Sequence, residues 1–540
     1  VPHSDSVPST VDRTIQRGAV QRAGTVQDYR SLSYASGEAH VTREDLARRR
    51  STTPGRSLAY IAHLTDVQLA DIQAPARLEV AHGYPDRPGS SRLVPAWRPQ
   101  ELLAAHATDA LVRTLNRVQV SPLTGARLDA ALTTGDNIDN MQWNEAQAFL
   151  RLLSGGPVSM DSGGPTYEGV QDGSVEWAWD PAHPESAWAA AYGFPEVAGL
   201  IEAGLRPFTA AGLEIPWLTC HGNHDGLLQG RTRATPELAK IMTGDRKMFA
   251  LPPGPVADFV TDPLDVFAGQ TRLVQPSDER RPIERMEFVR AHFADGGFPR
   301  GHGFTEQNLA DGTAYYAYDD IPGVRIIVLD TTNPGGHFEG SIDERQLSWL
   351  KARLGEVHGG DDERLVLVAS HHPRTSMTND VPVPAGQPDS GRRVLGDELA
   401  AVLGTYPNVL AWISGHTHRH HVRAWPGAGG GFWEITTASV MEWPVQLRLL
   451  EIVENGDETL SLVCTVVDHS APLAPGAITT PDDLASWHRE LAANSPISVG
   501  GADAGGAAVD RNVELVLPDP RGKAGDASAQ RLGDADSVQY

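Results

Sequence analysis

Five short apolar runs along the chain break off at the same kinds of residue. The runs at 61–66, 130–136, 217–223, 365–372 and 409–418 begin as β-type stretches and end in Asp, Asn or His. In parallel α/β sheets the carboxyl ends of strands are where sites form, so these endings read as buried strands delivering polar groups to one place. Helical spacing separates them. Leu102, Ala105, Leu111, Val112 and Leu115 mark a helix over 101–118, and a second covers 144–153. Leu347, Leu350 and Leu354 mark a third, with Ser341 as its expected cap, and 394–403 is a fourth. Strand, helix, strand order implies parallel pairs with right-handed crossovers. The runs 314–318 and 324–330, joined by Asp319 to Gly323, predict a hairpin. Beyond His421 only strands remain, at 432–437, 445–453 and 460–467, and they read as antiparallel meanders closing a second sheet.

This alternation predicts one large domain over 58–470, interrupted by irregular insertions at about 155–195 and 227–310. The first is rich in Gly, Pro and Trp, with Trp177, Trp179 and Trp188 expected as packing anchors in a loop that shapes or covers the site. The second carries helical pieces near 236–242 and 281–293. Residues 1–57 are polar, with Arg43, Arg48, Arg49 and Arg50 gathered, and are expected to wrap on the surface or stay partly disordered. Residues 471–540, rich in Pro, Gly, Ala and Asp, are expected as a loosely held tail with one strand at 513–517.

Composition narrows the function. The net charge of −24 repels phosphate backbones, and no basic patch stands out, so no nucleic-acid partner is expected. Two cysteines, Cys220 and Cys464, read as buried free thiols. No run of eighteen apolar residues exists, so no membrane span is expected. The chain starts at Val1 with no hydrophobic leader, which leaves a cytoplasmic protein and an exported one with its leader removed both open.

The strand ends offer Asp66 and Gln68, Asp136, Asn223 with His224, His371 beside His372, and His416 with His418. Mixed oxygen and nitrogen donors suit Mn, Fe or Zn better than Ca or Mg. Seven donors exceed one tetrahedral site but suit two metals sharing a carboxylate, about 3.5–4 Å apart. His420 and His421 prolong the last motif as supporting or surface residues, His63, His302 and His337 have no spacing argument, and Asn140 is a candidate support for the Asp136 loop.

In order, Asp66-Val67-Gln68, Gly135-Asp136-Asn137-Ile138-Asp139, Gly222-Asn223-His224-Asp225, His371-His372-Pro373 and Gly415-His416-Thr417-His418 resemble the motifs of the calcineurin-like metallophosphoesterase superfamily, over about 58–468. The insert-rich layout resembles a bacterial subgroup of it whose members often carry a twin-arginine leader. The resemblance implies a four-layer α/β/β/α sandwich of two mixed sheets. It implies a first metal on Asp66, Gln68, Asp136 and His418, and a second on Asp136, Asn223, His371 and His416. It further implies a metal-bridging hydroxide that attacks phosphorus in line, His224 as acid or transition-state stabiliser, and Asp225 as the group orienting His224. Most relatives have His where Gln68 stands. A neutral amide makes the first metal more exchangeable and favours Mn, with Fe or Zn as alternatives. Asp139 stands where purple acid phosphatases have Tyr, which excludes an iron–tyrosinate centre. The expected function is hydrolysis of a small phosphoester, as a phosphomonoesterase or phosphodiesterase. The rivals are a nuclease of the same fold, which would need a basic groove, and a non-catalytic binding scaffold, which would have lost ligands.

Overall fold

The computed structural model describes residues 9–51, 55–256, 262–358, 362–383, 385–386 and 389–522. The ends of the expected N-terminal extension and C-terminal tail, at 1–8 and 523–540, lie outside the described residues. The strands of the two principal sheets are β1 Val41–Arg43, β2 Arg56–Leu64, β3 Ala130–Thr133, β4 Trp217–Thr219, β5 Tyr316–Tyr318, β6 Val324–Val328 and β7 Leu365–Ala369. They continue as β8 Val409–Ser414, β9 His421–Trp425, β10 Phe432–Thr436, β11 Gln446–Glu454, β12 Thr459–Asp468 and β13 Val513–Pro518. The main helices are α1 Ala104–Arg117, α2 Trp143–Ser154, α3 Glu344–Glu356, α4 Gly396–Leu403 and α5 Pro481–Asn494.

Both sheets are mixed. One has seven strands in the order β1-β13-β12-β11-β2-β3-β4, the other six in the order β5-β6-β7-β8-β10-β9. Within the first, β2, β3 and β4 run parallel, and within the second, β6, β7, β8 and β10 do. The expected hairpin forms as β5–β6. The apolar runs have no polar alternation because both faces of the central strands are covered. In β6 and β7, Val324, Ile326, Val328, Leu365, Leu367 and Ala369 share one core with Ile61, Leu132 and Leu218 of the other sheet. Ile327, Val366 and Val368 face the opposite way, against Leu347, Leu350 and Leu354 of α3 and Leu399 and Leu403 of α4. The mixed α/β class with two mixed sheets is therefore as expected.

Three local expectations change, and one open alternative closes. Phe432–Thr436 is not part of a meander. It pairs parallel to β8, while β11 and β12 join the other sheet antiparallel beside β2. The cap of α3 is Asp343, whose carboxylate accepts from the Gln346 amide, and Ser341 instead accepts from Arg393 Nε at 2.9 Å. The C-terminal segment is tightly held: α5 packs on α1, with Arg113 Nη1 2.8 Å from the Asp482 carboxylate, and β13 sits inside the sheet. The N-terminal extension wraps as the ribbon Arg13–Arg22 and Tyr29–Ser36, with Tyr29 Oη donating to Glu490 at 3.0 Å.

The first insertion also behaves differently from expectation. Trp179 and Trp188 do anchor by packing, in a cluster with Trp97, Phe194 and Leu491. Among the described residues, however, none of those lining the cavities beside the clustered strand ends comes from 155–195; they come from Met141, the loop after β4, the second insertion and later segments.

Candidate metal centre

Five parallel strands, three from one sheet and two from the other, end at a common edge. The chain leaves three of them through tight turns in which Asp66 (φ 53°), Gln68 (47°), Asp136 (51°), His416 (65°) and His418 (52°) adopt left-handed backbone. Such conformations cost on the order of 1–3 kcal/mol each for non-glycine residues, and their gathering at one spot marks a functional site. Backbone bonds tie the turns together, with the Gln68 amide on Asp136 O at 2.8 Å and the Gly415 amide on His371 O at 3.0 Å. Two motif glycines permit this crowding. A Cβ on Gly222 would collide with the Asp136 amide and carboxylate, and one on Gly415 with the Thr65 hydroxyl and the Asp66 carboxylate.

The structure brings all seven expected donors together. Asp136 Oδ1 lies 3.2 Å from His371 Nε2, and Asn223 Oδ1 lies 2.9 Å from His371 Nε2 and 3.0 Å from His416 Nδ1. On the other side, Asp66 Oδ1 is 3.2 Å from His418 Nε2, and the Gln68 amide nitrogen is 3.1 Å from both Asp136 Oδ2 and His418 Nε2. Donor atoms of Asp66, Asp136 and His371 all lie within 4.8 Å of one another. The far atoms are already engaged. His371 Nδ1 donates to Thr134 O at 2.8 Å, Asn223 Nδ2 donates to Gln229 O at 3.0 Å, and His418 Nδ1 lies 3.1 Å from Glu442 Oε2. Inner lone pairs therefore converge on each other, an arrangement that calls for cations. Gln68 Oε1 is buried without a partner, and a half-turn of the amide would carry it to the inner position of Nε2, as a ligand requires.

Electrostatics agree. Burial alone would lower the His371 pKa, but Asp136 overcomes it and pushes the imidazole up to about 9. For His418, burial is likewise outweighed by Glu442 and Asp66, again to about 9. The buried carboxylates thus demand positive charge at this edge.

His372 lies beside His371 and His416, with one ligand atom of each within 4.8 Å of the others, but both its ring nitrogens have partners: Nδ1 is 2.8 Å from Thr331 Oγ1 and Nε2 is 2.9 Å from Phe338 O. His224 faces the centre through Nε2, 3.7 Å from Asp136 Oδ2. Its Nδ1 is held not by Asp225, as expected, but by Asp139 at 3.0 Å. Asp225 is turned away: its oxygens accept from the amides of Gly222 (2.7 Å), Asn137 (3.0 Å) and Ile138 (3.1 Å), so it fastens the Asn223 loop to the Asp136 loop. The reason is placement, since Asp225 lies one residue past His224 and its side chain projects back under the turn. Asp139 in turn receives Arg77 Nη1 at 3.0 Å. Burial opposes ionisation there, but Arg77 and His224 hold its pKa at about 2. Asn140 does support the loop, accepting from the Leu228 amide at 2.8 Å. His420 is tied to Gln446 at 3.1 Å, and His63 bridges Thr134 and Thr437, each at 2.8 Å.

Sequence reasoning missed Glu442 and Arg98. Glu442 accepts from Arg98 Nε at 2.7 Å, from Ser498 Oγ at 2.7 Å and from the Val499 amide at 2.8 Å while it faces His418. A carboxylate inside the run Val440-Met441-Glu442-Trp443-Pro444 was the available signal, since a lone charge amid apolar residues needs a buried partner. Two cavities flank the cluster, one of about 420 Å³ reaching Asn223 and one of about 450 Å³ reaching His416.

Residues 191–420 match the family model of the calcineurin-like phosphoesterases. A probable cyclic nucleotide phosphodiesterase of Rhodococcus erythropolis is 36% identical over 99 residues, 18% of this chain and 29% of that protein. A probable glycerophosphodiester phosphodiesterase of Arcobacter nitrofigilis is 34% identical over 110 residues, 20% of this chain and 35% of that protein. The chain thus spans about a third of the length of these curated relatives. Among solved structures, a dimetal phosphatase from Danio rerio, 14% identical, covers 77% of this chain and 100% of its own with a TM-score of 0.34. A Thermus thermophilus sulfate thiohydrolase in complex with glycerol, 13% identical, covers 82% of this chain and 61% of its own with a TM-score of 0.29.

Proposed function

We propose that this chain, which belongs to the calcineurin-like phosphoesterase family, hydrolyses small phosphoesters with the help of two divalent cations. The observation that carries the reading is the convergence of seven side chains at one strand edge, with the outer atoms of His371, Asn223 and His418 already fixed by Thr134, Gln229 and Glu442. Asp66, Gln68, Asp136 and His418 would hold one cation, and Asp136, Asn223, His371 and His416 the other, with Asp136 shared. Such a pair of cations supplies positive charge to the phosphoryl oxygens and lowers the pKa of an attacking water. Gln68 contributes a neutral amide rather than an imidazole, which favours exchangeable Mn over Zn or Fe.

The chain's own chemistry centres on His224. With Nδ1 fixed by Asp139, Nε2 is presented to the centre, where it donates a proton to the leaving oxygen or a hydrogen bond to a phosphoryl oxygen. Both curated relatives bear phosphodiesterase names, which supports a diester over a monoester.

Metal-free protein reconstituted with Mn, Zn or Fe tests this, with metal analysis beside turnover of bis-p-nitrophenyl phosphate and p-nitrophenyl phosphate. Two equivalents of metal per chain and faster diester turnover are expected. Less than one equivalent, or full activity in Asp136→Ala, would overturn the reading.

A further inference from the structure

We infer that the cavity beside His416 is a binding site for a second anionic group of the substrate, so that the preferred substrate is a phosphodiester with a phosphorylated substituent. The inference rests on the hydrolase reading above. Asn223 Oδ1 and His416 Nδ1 are 3.0 Å apart, yet each borders a different cavity, so a phosphorus seated at the centre has room for a substituent on either side. A monoester would use one of these spaces; a diester uses both.

The two cavities differ in charge. The one beside Asn223 is lined by Glu284, Glu339 and Asp389 together with Met141, Leu227 and Met286. Its Arg285 is committed to Asp330 at 3.0 Å and Asp389 at 2.6 Å, and its Arg233 donates to Gly335 O at 3.2 Å. That wall suits a neutral or apolar substituent. The cavity beside His416 presents Arg419 and Arg423, both exposed, with the Thr375 and Thr417 hydroxyls. Arg423 is held in place by stacking on Trp425, its guanidinium carbon 4.4 Å from the ring centroid, and Arg419 Nη2 reaches Gly500 O at 3.3 Å. The one carboxylate of this wall, Glu434, is turned inward, accepting from the Arg374 amide and from Trp425 Nε1 at 2.9 Å each. In a chain of net charge −24, a cationic wall that begins at a residue of the metal cluster is a local reversal of sign. Two guanidinium groups in a concave wall match a phosphate, which accepts several charge-assisted hydrogen bonds.

In the hydrolysis itself, water adds to phosphorus, the bond to the leaving oxygen breaks with its electron pair, and that oxygen takes a proton. The second phosphate stays intact on its substituent and only anchors it.

The test uses two probes that differ by one phosphate: thymidine 5′-(p-nitrophenyl phosphate) and the same ester with a 3′-phosphate. In the Mn-reconstituted full chain the 3′-phosphorylated probe is expected to be preferred about tenfold or more in kcat/KM, through KM. In Arg419→Ala/Arg423→Ala the ratio is expected to fall to about one, with Arg423→Lys intermediate. Equal use of the two probes by the wild type, or a preference that survives the double substitution, overturns the inference. Calorimetric binding of thymidine 3′,5′-bisphosphate separates this from the hydrolase reading. Binding that weakens tenfold in the double variant upholds the anion site even if neither probe is turned over, in which case it is the hydrolase reading that fails. Equal binding by both proteins overturns the site.

Discussion

Glu442→Gln removes one negative charge while keeping the shape of a buried residue that stands behind His418. In the wild type Glu442 Oε2 lies 3.1 Å from His418 Nδ1, and the same carboxylate accepts from Arg98, Ser498 and Val499. Burial opposes ionisation of Glu442, but His418 and Arg98 hold it well below the usual carboxylate range, so it faces the ring as an anion. An anionic partner fixes the proton of His418 on Nδ1 and leaves the Nε2 lone pair for a cation. Replacing groups that support metal-bound imidazoles typically weakens affinity 10- to 100-fold, which is about 1.4–2.7 kcal/mol. The loss should be one-sided. His418 belongs to the set with Asp66 and Gln68, whereas His371 and Asn223 are fixed by Thr134 and Gln229 and do not touch Glu442. Competition of the metal-free protein with a chromogenic chelator, titrated with Mn, should show one of two sites weakened and the other unchanged. Arg98 is as buried as Glu442, so a fall in thermal stability should accompany the change. Two sites with wild-type affinities, or two sites weakened alike, would refute the reasoning.

Asp139→Asn should lower kcat by about 100-fold with metal content intact, since it loosens the proton donor and not the ligands; steady-state kinetics with metal analysis checks both halves. Gly222→Ala should abolish two-metal binding and destabilise the fold by a few kcal/mol, about 1–3 from overpacking, because its Cβ collides with Asp136; calorimetry and metal analysis report it. Chelation should lower the melting temperature and re-addition of Mn restore it, because cations bind only the assembled edge, with a shift that grows with free metal concentration. Asp468 is pushed up to about 6 by burial, against Arg489 and the Gln446 hydrogen bond at 2.7 Å. A raised folded pKa means the folded state loses stability as pH rises from about 4 to 6. Asp468→Asn should therefore melt higher than wild type at pH 8 and converge with it below pH 4.

The strands, the helices between them and the residues that gather at the strand ends were legible in the sequence for one reason: each is a property of neighbouring residues. An apolar run ending in Asp or His looks the same whether or not its partner strand is known, and a glycine beside it, such as Gly222 or Gly415, announces the tight turn. Local signals were still lost where composition was averaged. Thr480, Pro481 and Asp483 form a capping box that starts α5 inside a segment dismissed for its Pro, Gly and Asp content. Other features were never local. Which sheet accepts Phe432–Thr436 depends on which edge of β8 is free for pairing, and no pattern within that run encodes it. Asp139 and Asp225 sit in equivalent polar turns, and only the fold puts the first at His224 Nδ1 and the second under backbone amides. Glu442 reaches His418 because the chain from β10 to β11 crosses between the two sheets. Residue type and spacing determined which side chains gather at the strand ends; tertiary structure alone decided which groups orient them, because that depends on direction in space between segments far apart in the chain.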